Sequence, residues 1–402
     1  MKIAVLNSGS TNNRKGAFNN VHERIKHLQE ENDVEVDVFL LRYYDSWMFK
    51  LVRNRFRPQS TNSTFKESVT IIDSVRYNNL WIKHKVRGYI LTIKLKLKDI
   101  SGKSQIGKFV DCFKSYDLLS VHALPDMYLA YLVKQKYGIP FVTTWHGSDI
   151  NVWPFVNKEG FKTTKLMLES ADFNFFVSRR LLETSNKITT NNKKDVLYTG
   201  PADVYLEPYA ESNMELSGRF NVSTRFLVGF IGNTVAIKNV MVLPDIFKKI
   251  QERVPDTGFV VVGNGDLLQQ LKNKVAEYNI ENLLFTGALT PEEVVDIMRR
   301  LNLLVLPSVN EGMPRVTLEA QASGVHVVGS DVGGIPESIG YENCFALDDD
   351  FVEKISARAI DILLSGKKAK PLSDKFSWQS AIEKEMRVYN DILTFRNYKG
   401  FE

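Results

Sequence analysis

The sequence predicts an α/β protein built from two doubly wound domains. Short apolar runs bounded by turn residues alternate with longer amphipathic stretches, the pattern of parallel strands joined by crossover helices. The strand candidates fall into two consecutive series, and 402 residues are enough for two domains that each bury a full core.

Strands are expected at residues 3–6, 34–41, 118–122, 141–144, 173–177 and 196–198, then at 226–231, 259–262, 283–285, 303–306 and 325–328. Residues 200–225 have weak periodicity, several polar side chains and a Gly-Pro pair, so the break falls there. This gives a first domain over 1–200 and a second over 201–375. Trp378, Ile382, Met386, Tyr389 and Ile392 recur at helical spacing, which predicts a final helix in the tail 376–402.

Charged residues at 25% and hydrophobic ones at 44% are ordinary globular values. Cys112 and Cys344 stand far apart without a CxxC partner, so neither a disulfide framework nor a zinc site is expected. The opening Met1-Lys2-Ile3-Ala4-Val5-Leu6 is too short an apolar run for a signal peptide, and no stretch reaches the length of a spanning helix. A reducing cytosol is the expected compartment. Net charge is +5, yet residues 1–200 carry 31 Lys+Arg against 19 Asp+Glu, and the remainder carries 21 against 28.

The segment Asn310-Glu311-Gly312-Met313-Pro314-Arg315-Val316-Thr317-Leu318-Glu319-Ala320 carries the strongest chemical signal. Two carboxylates stand eight positions apart across a glycine turn and a proline placed to open a helix. A helix start offers free amides and the positive end of the macrodipole, which suits a phosphate. Helical side chains lean toward the N-terminus, so Glu319 points back to within ribose reach of that anion site. In isolation both glutamates read better as solvated charges. Their context reverses this: an apolar strand precedes them, a second strand follows, and ligands of open α/β sheets bind beyond strand carboxyl ends.

Four other stretches would meet at a crevice if two such domains face each other. Gly232-Asn233 to Lys238 follows the first strand of the second domain, and Lys238 reads equally as a diphosphate cation or a solvated surface lysine. Gly263 to Asp266 ends the next strand, either for close approach of a ribose or as a plain turn. His146, in Trp145-His146-Gly147-Ser148-Asp149, ends a strand of the first domain, a placement that favours function. Residues 9–16 supply glycines with Arg14 and Lys15 beside the same crevice. The absence of GxGxxG after a strand argues against a nicotinamide dehydrogenase, GxxxxGK[ST] is absent too, and Asp348-Asp349-Asp350 reads as a solvated turn.

Together these motifs resemble the family 4 glycosyltransferases, retaining enzymes of the GT-B fold. The likeness rests on Glu311 to Glu319, Asp331 to Glu337, Gly232 to Lys238, Thr286-Gly287 with Pro291-Glu292-Glu293, His146 to Asp149, and Phe376-Ser377-Trp378. It implies two Rossmann-like domains facing a central cleft, with the C-terminal helix returning to the N-terminal domain. It also implies that Glu319 binds the nucleotide ribose, while Glu311 and the backbone of the turn Gly312, Met313, Pro314 and Arg315 hold the donor sugar. The diphosphate falls to Lys238, to amides around Val316 and to the amide of Gly16, with Asn233 and Gly263 lining the same donor site. His146 is implied near the anomeric carbon, so the expected catalytic residues are His146, Glu311 and Lys238. Many members carry Arg where Asn233 stands, which leaves one phosphate charge to Lys238, Arg14 or Arg315.

The implied reaction moves a hexose-type sugar from a UDP- or GDP-sugar to a hydroxyl of a glycan or lipid-linked glycan, in capsule, lipopolysaccharide or exopolysaccharide assembly. No cofactor or metal is expected. Alternatives are a nucleotide-sugar epimerase of the same fold and a catalytically silent nucleotide-sugar binding subunit. Between Arg42 and Lys98, 13 basic residues face three acidic ones. Arg53, Arg55 and Arg57 interleave with aromatics, and Lys83 and Lys85 lie among Ile82, Val86 and Ile90 at near-helical spacing, with period-two alternation further on leaving a strand open. The stretch reads as a solvated face or as a surface for the acceptor and an anionic inner membrane. Nucleic acid is disfavoured because no recognition module accompanies the charge.

Overall fold

The computed structural model describes residues 1–8, 16–31, 33–45, 67–84, 105–207 and 224–399. The chain divides into two compact units. One comprises Met1–Phe176, Leu182–Leu197 and Ala381–Glu402, the other Val177–Leu181 and Tyr198–Ser380.

The first unit is built on β1 (Lys2–Leu6), β2 (Glu35–Asp45), β3 (Val69–Ile72), β4 (Val75–His84), β5 (Leu118–Val121), β6 (Phe141–Trp145), β7 (Phe173–Phe176) and β8 (Lys194–Val196). Their order is β3-β4-β2-β1-β5-β6-β7-β8, parallel throughout except for the β3–β4 hairpin. Every residue of β5 and β6 is buried, as expected of parallel strands covered on both faces. The order reverses at β1 and β5, so the loops after these two strands meet at a topological switch point.

The second unit holds β9 (Phe226–Ile231), β10 (Thr257–Val262), β11 (Leu283–Gly287), β12 (Leu303–Leu306), β13 (His326–Ser330) and β14 (Cys344–Phe345). All are parallel, in the order β11-β10-β9-β12-β13-β14, with the switch between β9 and β12. The loops carrying Lys238 and Glu311 are the loops after these two strands, which explains why residues 73 positions apart meet. Helix Pro291–Arg300 starts with a capping box between Thr290 and Glu293, the local chemistry behind the Pro-Glu-Glu signal.

The C-terminal helix spans Trp378–Lys399, and from Ala381 it belongs to the first unit, where Ile382 and Tyr389 join the core. The Ser377 hydroxyl caps it by accepting the Ser380 amide at 3.1 Å. The fold is thus the predicted pair of Rossmann-like sheets with a returning helix.

Several details correct the sequence reading. The hairpin β3–β4 was not expected; it turns through Asp73 and Ser74, both at positive φ (44° and 68°), as a two-residue type I′ turn requires. Ile82 and Lys83 therefore sit on a strand and not on an amphipathic helix. The period-two signal Val75, Tyr77, Asn79 was obscured because its third buried member is polar. Strand β8 ends before Leu197, leaving Tyr198 outside it, and β13 begins at His326. Asp348 to Asp350 forms the exposed start of helix Phe351–Ser365, with Lys354 2.9 Å from Asp348.

Candidate active site

In the second unit the site is assembled from backbone outward. The loop after β9 is pinned to the loop after β10: the Gly232 amide donates to the Val262 carbonyl at 3.0 Å, and the Thr234 amide to the Asn264 carbonyl at 3.1 Å. Gly263 has φ +127°, and a Cβ there would lie 2.0 Å from the Gly232 oxygen, so only glycine fits. The loop then closes in a single 3-10 turn, Ala236–Lys238. The Val309 amide donates to the Ile237 carbonyl at 2.9 Å and ties in the segment after β12.

These constraints bring Lys238 Nζ to 2.5 Å from Glu311 Oε1, with both side chains mostly buried. The turn that carries Glu311 is braced from β13. The Gly334 amide donates to the Gly312 carbonyl at 2.7 Å, and a Cβ on Gly333, at φ +51°, would stand 2.0 Å from the Glu311 carbonyl oxygen. Asn233 is exposed.

Helix Arg315–Ala322 follows, with Pro314 as its cap (φ −76°, ψ 113°) and not its first residue. The Thr317 hydroxyl donates to the Pro314 carbonyl at 2.8 Å. The amides of Arg315 and Val316 open the helix, where no intrahelical acceptor precedes them. Glu319 reaches back one turn to Arg315, at 3.5 Å. Three buried polar atoms around this edge have no hydrogen-bond partner among the described residues: Arg315 Nε, Thr234 Oγ1 and Ser308 Oγ.

Sequence reasoning missed Tyr198, Tyr205 and the segment carrying Arg179 and Arg180. Tyr205 is buried beside Glu319; burial first, then the Glu319 charge, raises its phenol above the ordinary value. Glu337 accepts the amides of Arg179 (2.9 Å) and Arg180 (3.1 Å) and the Tyr198 hydroxyl (2.5 Å), while Arg180 pairs with Asp331 at 2.9 Å. The short segment Val177–Leu181 is thereby fastened to the loop after β13. Nothing in the local pattern of residues 177–181 signals this, because the partner lies more than 150 positions away.

In the first unit His146 follows β6. Its amide and that of Gly147 donate to the Asp149 carboxylate at 3.1 and 2.8 Å, so Asp149 fixes the turn. Burial pushes the Asp149 carboxyl up against these bonds. His146 Nε2 lies 3.3 Å from His122 Nδ1, a second imidazole at the carboxyl end of β5. Burial, then the nearby Arg24 guanidinium, pushes His146 down to about 3. Burial likewise holds His122 well below its usual range, helped by Arg24 and His146. Both rings are neutral at physiological pH. They line a cavity of about 460 Å³ with Leu124, Val152, Trp153 and Val156. His122 was legible only as the end of a strand. Its equivalence to His146, one strand over, was the available signal.

Across the switch point of this unit, Asp126 accepts the Ser8 amide at 2.9 Å and the Ser8 hydroxyl. Asp126 is fully buried, and burial raises its carboxyl to about 7 against the pull of the Ser8 bonds. Gly16 opens helix Gly16–Gln29. Lys83 is exposed on β4, its backbone bonded at both ends by the Gln105 side chain. Arg14, Lys15, Arg53, Arg55, Arg57 and Lys85 lie outside the described residues. Among the described residues no helix is long and apolar enough to cross a membrane, and no group of three His, Cys, Asp or Glu side chains is arranged to hold a metal.

Residues 217–376 match the family described as Glycosyl transferases group 1. An uncharacterised glycosyltransferase of Methanocaldococcus jannaschii is 28% identical over 300 residues, covering 72% of this chain and 79% of that protein. A Bacillus subtilis glycosyltransferase assigned to teichuronic acid biosynthesis is 31% identical over 226 residues, 56% of this chain and 55% of that protein. Among solved structures, Anabaena HepE in complex with UDP superposes with a TM-score of 0.69 at 15% identity, covering 97% of this chain and all of that one, a likeness of fold. With the two parallel sheets and the carboxylate-bearing turn in place, residues 217–376 match the group 1 glycosyl transferases, and the chain as a whole has the GT-B fold that its solved neighbours share.

Proposed function

We propose that the protein transfers a hexose-type sugar from a UDP- or GDP-sugar to a hydroxyl of a glycan or lipid-linked glycan in bacterial surface-polysaccharide assembly. The carrying observation is the buried Lys238–Glu311 pair at the switch point of the second sheet, beside a helix start. A diphosphate needs compensating positive charge, and Lys238 with the amides of Arg315 and Val316 supplies it from one edge. On this reading Glu311 and the amides of Gly312 and Met313 take the sugar, and Glu319 takes the ribose. The three unpartnered buried polar atoms fit this reading, since such groups call for a ligand or water. HepE, of the same fold, binds UDP, and the B. subtilis relative is assigned to teichuronic acid biosynthesis, which supports donor and pathway class.

The reaction follows from the groups available. The acceptor oxygen forms its bond to the anomeric carbon on the face from which the phosphate oxygen departs, and that oxygen takes the acceptor proton as the nucleoside diphosphate leaves. Configuration is retained. Catalysis is electrostatic stabilisation and positioning, with Lys238 and helix amides acting on the charge that develops on the leaving group. His146 and Gly16 in the first unit serve the acceptor and the phosphates. The enzyme works in the cytoplasm, with the basic stretch between Arg42 and Lys98 contacting the inner membrane face. Incubation with UDP- and GDP-hexoses and a glycan primer, read by NMR of the product, tests the proposal: a retained anomer made in the presence of chelator supports it, and an inverted anomer or chelator-abolished turnover overturns it.

A further inference from the structure

The cavity of about 460 Å³ beyond β5 and β6 changes character from its buried end to its rim. At the buried end stand the paired imidazoles of His122 and His146, 3.3 Å apart. Its other described side-chain walls include Ala123, Leu124, Val152, Trp153 and Val156, hydrocarbon and an indole. Asp149 is the one carboxylate among the described lining residues, and both its oxygens are occupied by the amides of His146 and Gly147. The cavity thus offers hydrogen bonds at one end and apolar surface at the other.

That apolar surface is left open to solvent. Val152 is 43% exposed, Val156 60%, and Phe155 beside them 51%. The other large apolar side chains exposed among the described residues of the first unit, Ile71, Leu166 and Phe395, are scattered singly along the chain. Close backbone packing holds the cluster in place. Val152 and Val156 flank and end the turn Trp153–Val156, whose Pro154 is buried. Gly160, in helix Lys158–Ser170, admits this turn, since a Cβ there would stand 2.4 Å from the Trp153 carbonyl oxygen. Asn157 caps the same helix by accepting the Gly160 amide at 2.8 Å. A fixed apolar rim continuous with a polar cavity fits a ligand that is itself polar at one end and apolar at the other.

We infer that the rim takes the apolar aglycone of the acceptor, so that the sugar receiving the new bond is the one joined directly to a hydrocarbon group. This rests on the proposed transfer reaction, with His146 at the acceptor hydroxyl. Hydrophilic sugars on both sides of the accepting residue would lay hydroxyls against Val152 and Val156, whereas an alkyl, acyl or prenyl chain covers both and gains in proportion to the area removed from water. The enzyme then acts at the lipid-proximal end of a glycan. Its substrate must come from a reaction that places a first sugar on a lipid.

Methyl and octyl β-glucoside, the latter kept below its micelle concentration, serve as matched probes on the full chain. Ring 1H–13C NMR signals of His122 and His146, assigned through His122→Gln and His146→Gln, report occupancy of the cavity. Octyl glucoside should shift both rings with an affinity at least about tenfold above that of methyl glucoside, a gain that burying two methylenes already supplies. Val156→Asp should cancel the gain, and Val152→Ser should reduce it; both side chains are exposed, so the fold tolerates the changes. Equal affinities, rings that ignore octyl glucoside, or a gain that survives both substitutions overturn the inference, the last because the chain then binds elsewhere, on a membrane-facing surface or between copies. Transfer of sugar by a protein with equal affinities sinks this inference alone. The alkyl preference and its loss in the variants, in a protein that transfers no sugar, would sink the proposed function and leave the apolar subsite standing.

Discussion

In the second unit the candidate functional side chains are charged and paired, Lys238 with Glu311 and Arg315 with Glu319, whereas the cavity of the first unit is lined by two imidazoles that burial keeps neutral. Each arrangement matches a different chemical demand. A nucleoside diphosphate brings charge that must be met by fixed charge and amide dipoles. A sugar hydroxyl brings none, and an ionised partner beside it would have to be desolvated without compensation. The two sheets reach these outcomes with the same topological device, a reversal of strand order that leaves two loops side by side. What differs is the residue type at each strand end.

The contrast can be broken most sharply at Glu311. Glu311→Gln should lower the rate of transfer by roughly 10²- to 10³-fold, the usual scale for a group that acts on the transition state. Nucleoside diphosphate affinity should not weaken, because the substitution removes the competitor for Lys238. Parallel losses in rate and in affinity, measured by steady-state kinetics and calorimetry, would remove Glu311 from the sugar.

At the neutral site, His146→Ala should cost about tenfold in kcat, consistent with the loss of one hydrogen bond and its orientation. Because His146 titrates near 3, the activity of the wild type should show no imidazole limb between pH 5 and 8. A limb near 6.5 that disappears in His146→Ala would mean that the ring is charged in use.

A smaller effect belongs to Asp126. Its carboxyl is raised to about 7 in the folded chain from an ordinary value near 3.8, so between those values the native state holds a proton that the unfolded chain has lost. Stability contributed by this group is therefore fully present below pH 4 and declines as pH rises toward 7. Asp126→Asn should flatten that decline in melting temperature, by a few degrees across the window. Identical pH slopes in wild type and variant would assign the carboxyl an ordinary value.

Much of the second unit was legible in the sequence because its signals are local. The strand before Glu311, the glycine turn, the proline and the helix glutamate lie within one stretch, and the glycines at 263, 333 and 334 report close backbone approaches. The first unit was read less well. Its hairpin β3–β4 hid behind a buried asparagine, and the ring partner of His146, the His122 imidazole 24 positions away, is brought to it only by folding. Pro314 shows the finer limit: its place at the helix start was readable, yet whether it is cap or first residue is decided by a ψ of 113° that no sequence pattern specifies.

The most direct test of the central claim, that Lys238 answers the diphosphate, is the affinity of Lys238→Ala for a nucleoside diphosphate against that for the matching nucleoside, measured by titration on the whole chain. The account predicts a loss of about 10- to 100-fold for the diphosphate and none for the nucleoside. Equal losses for both ligands, or no loss for either, would contradict it.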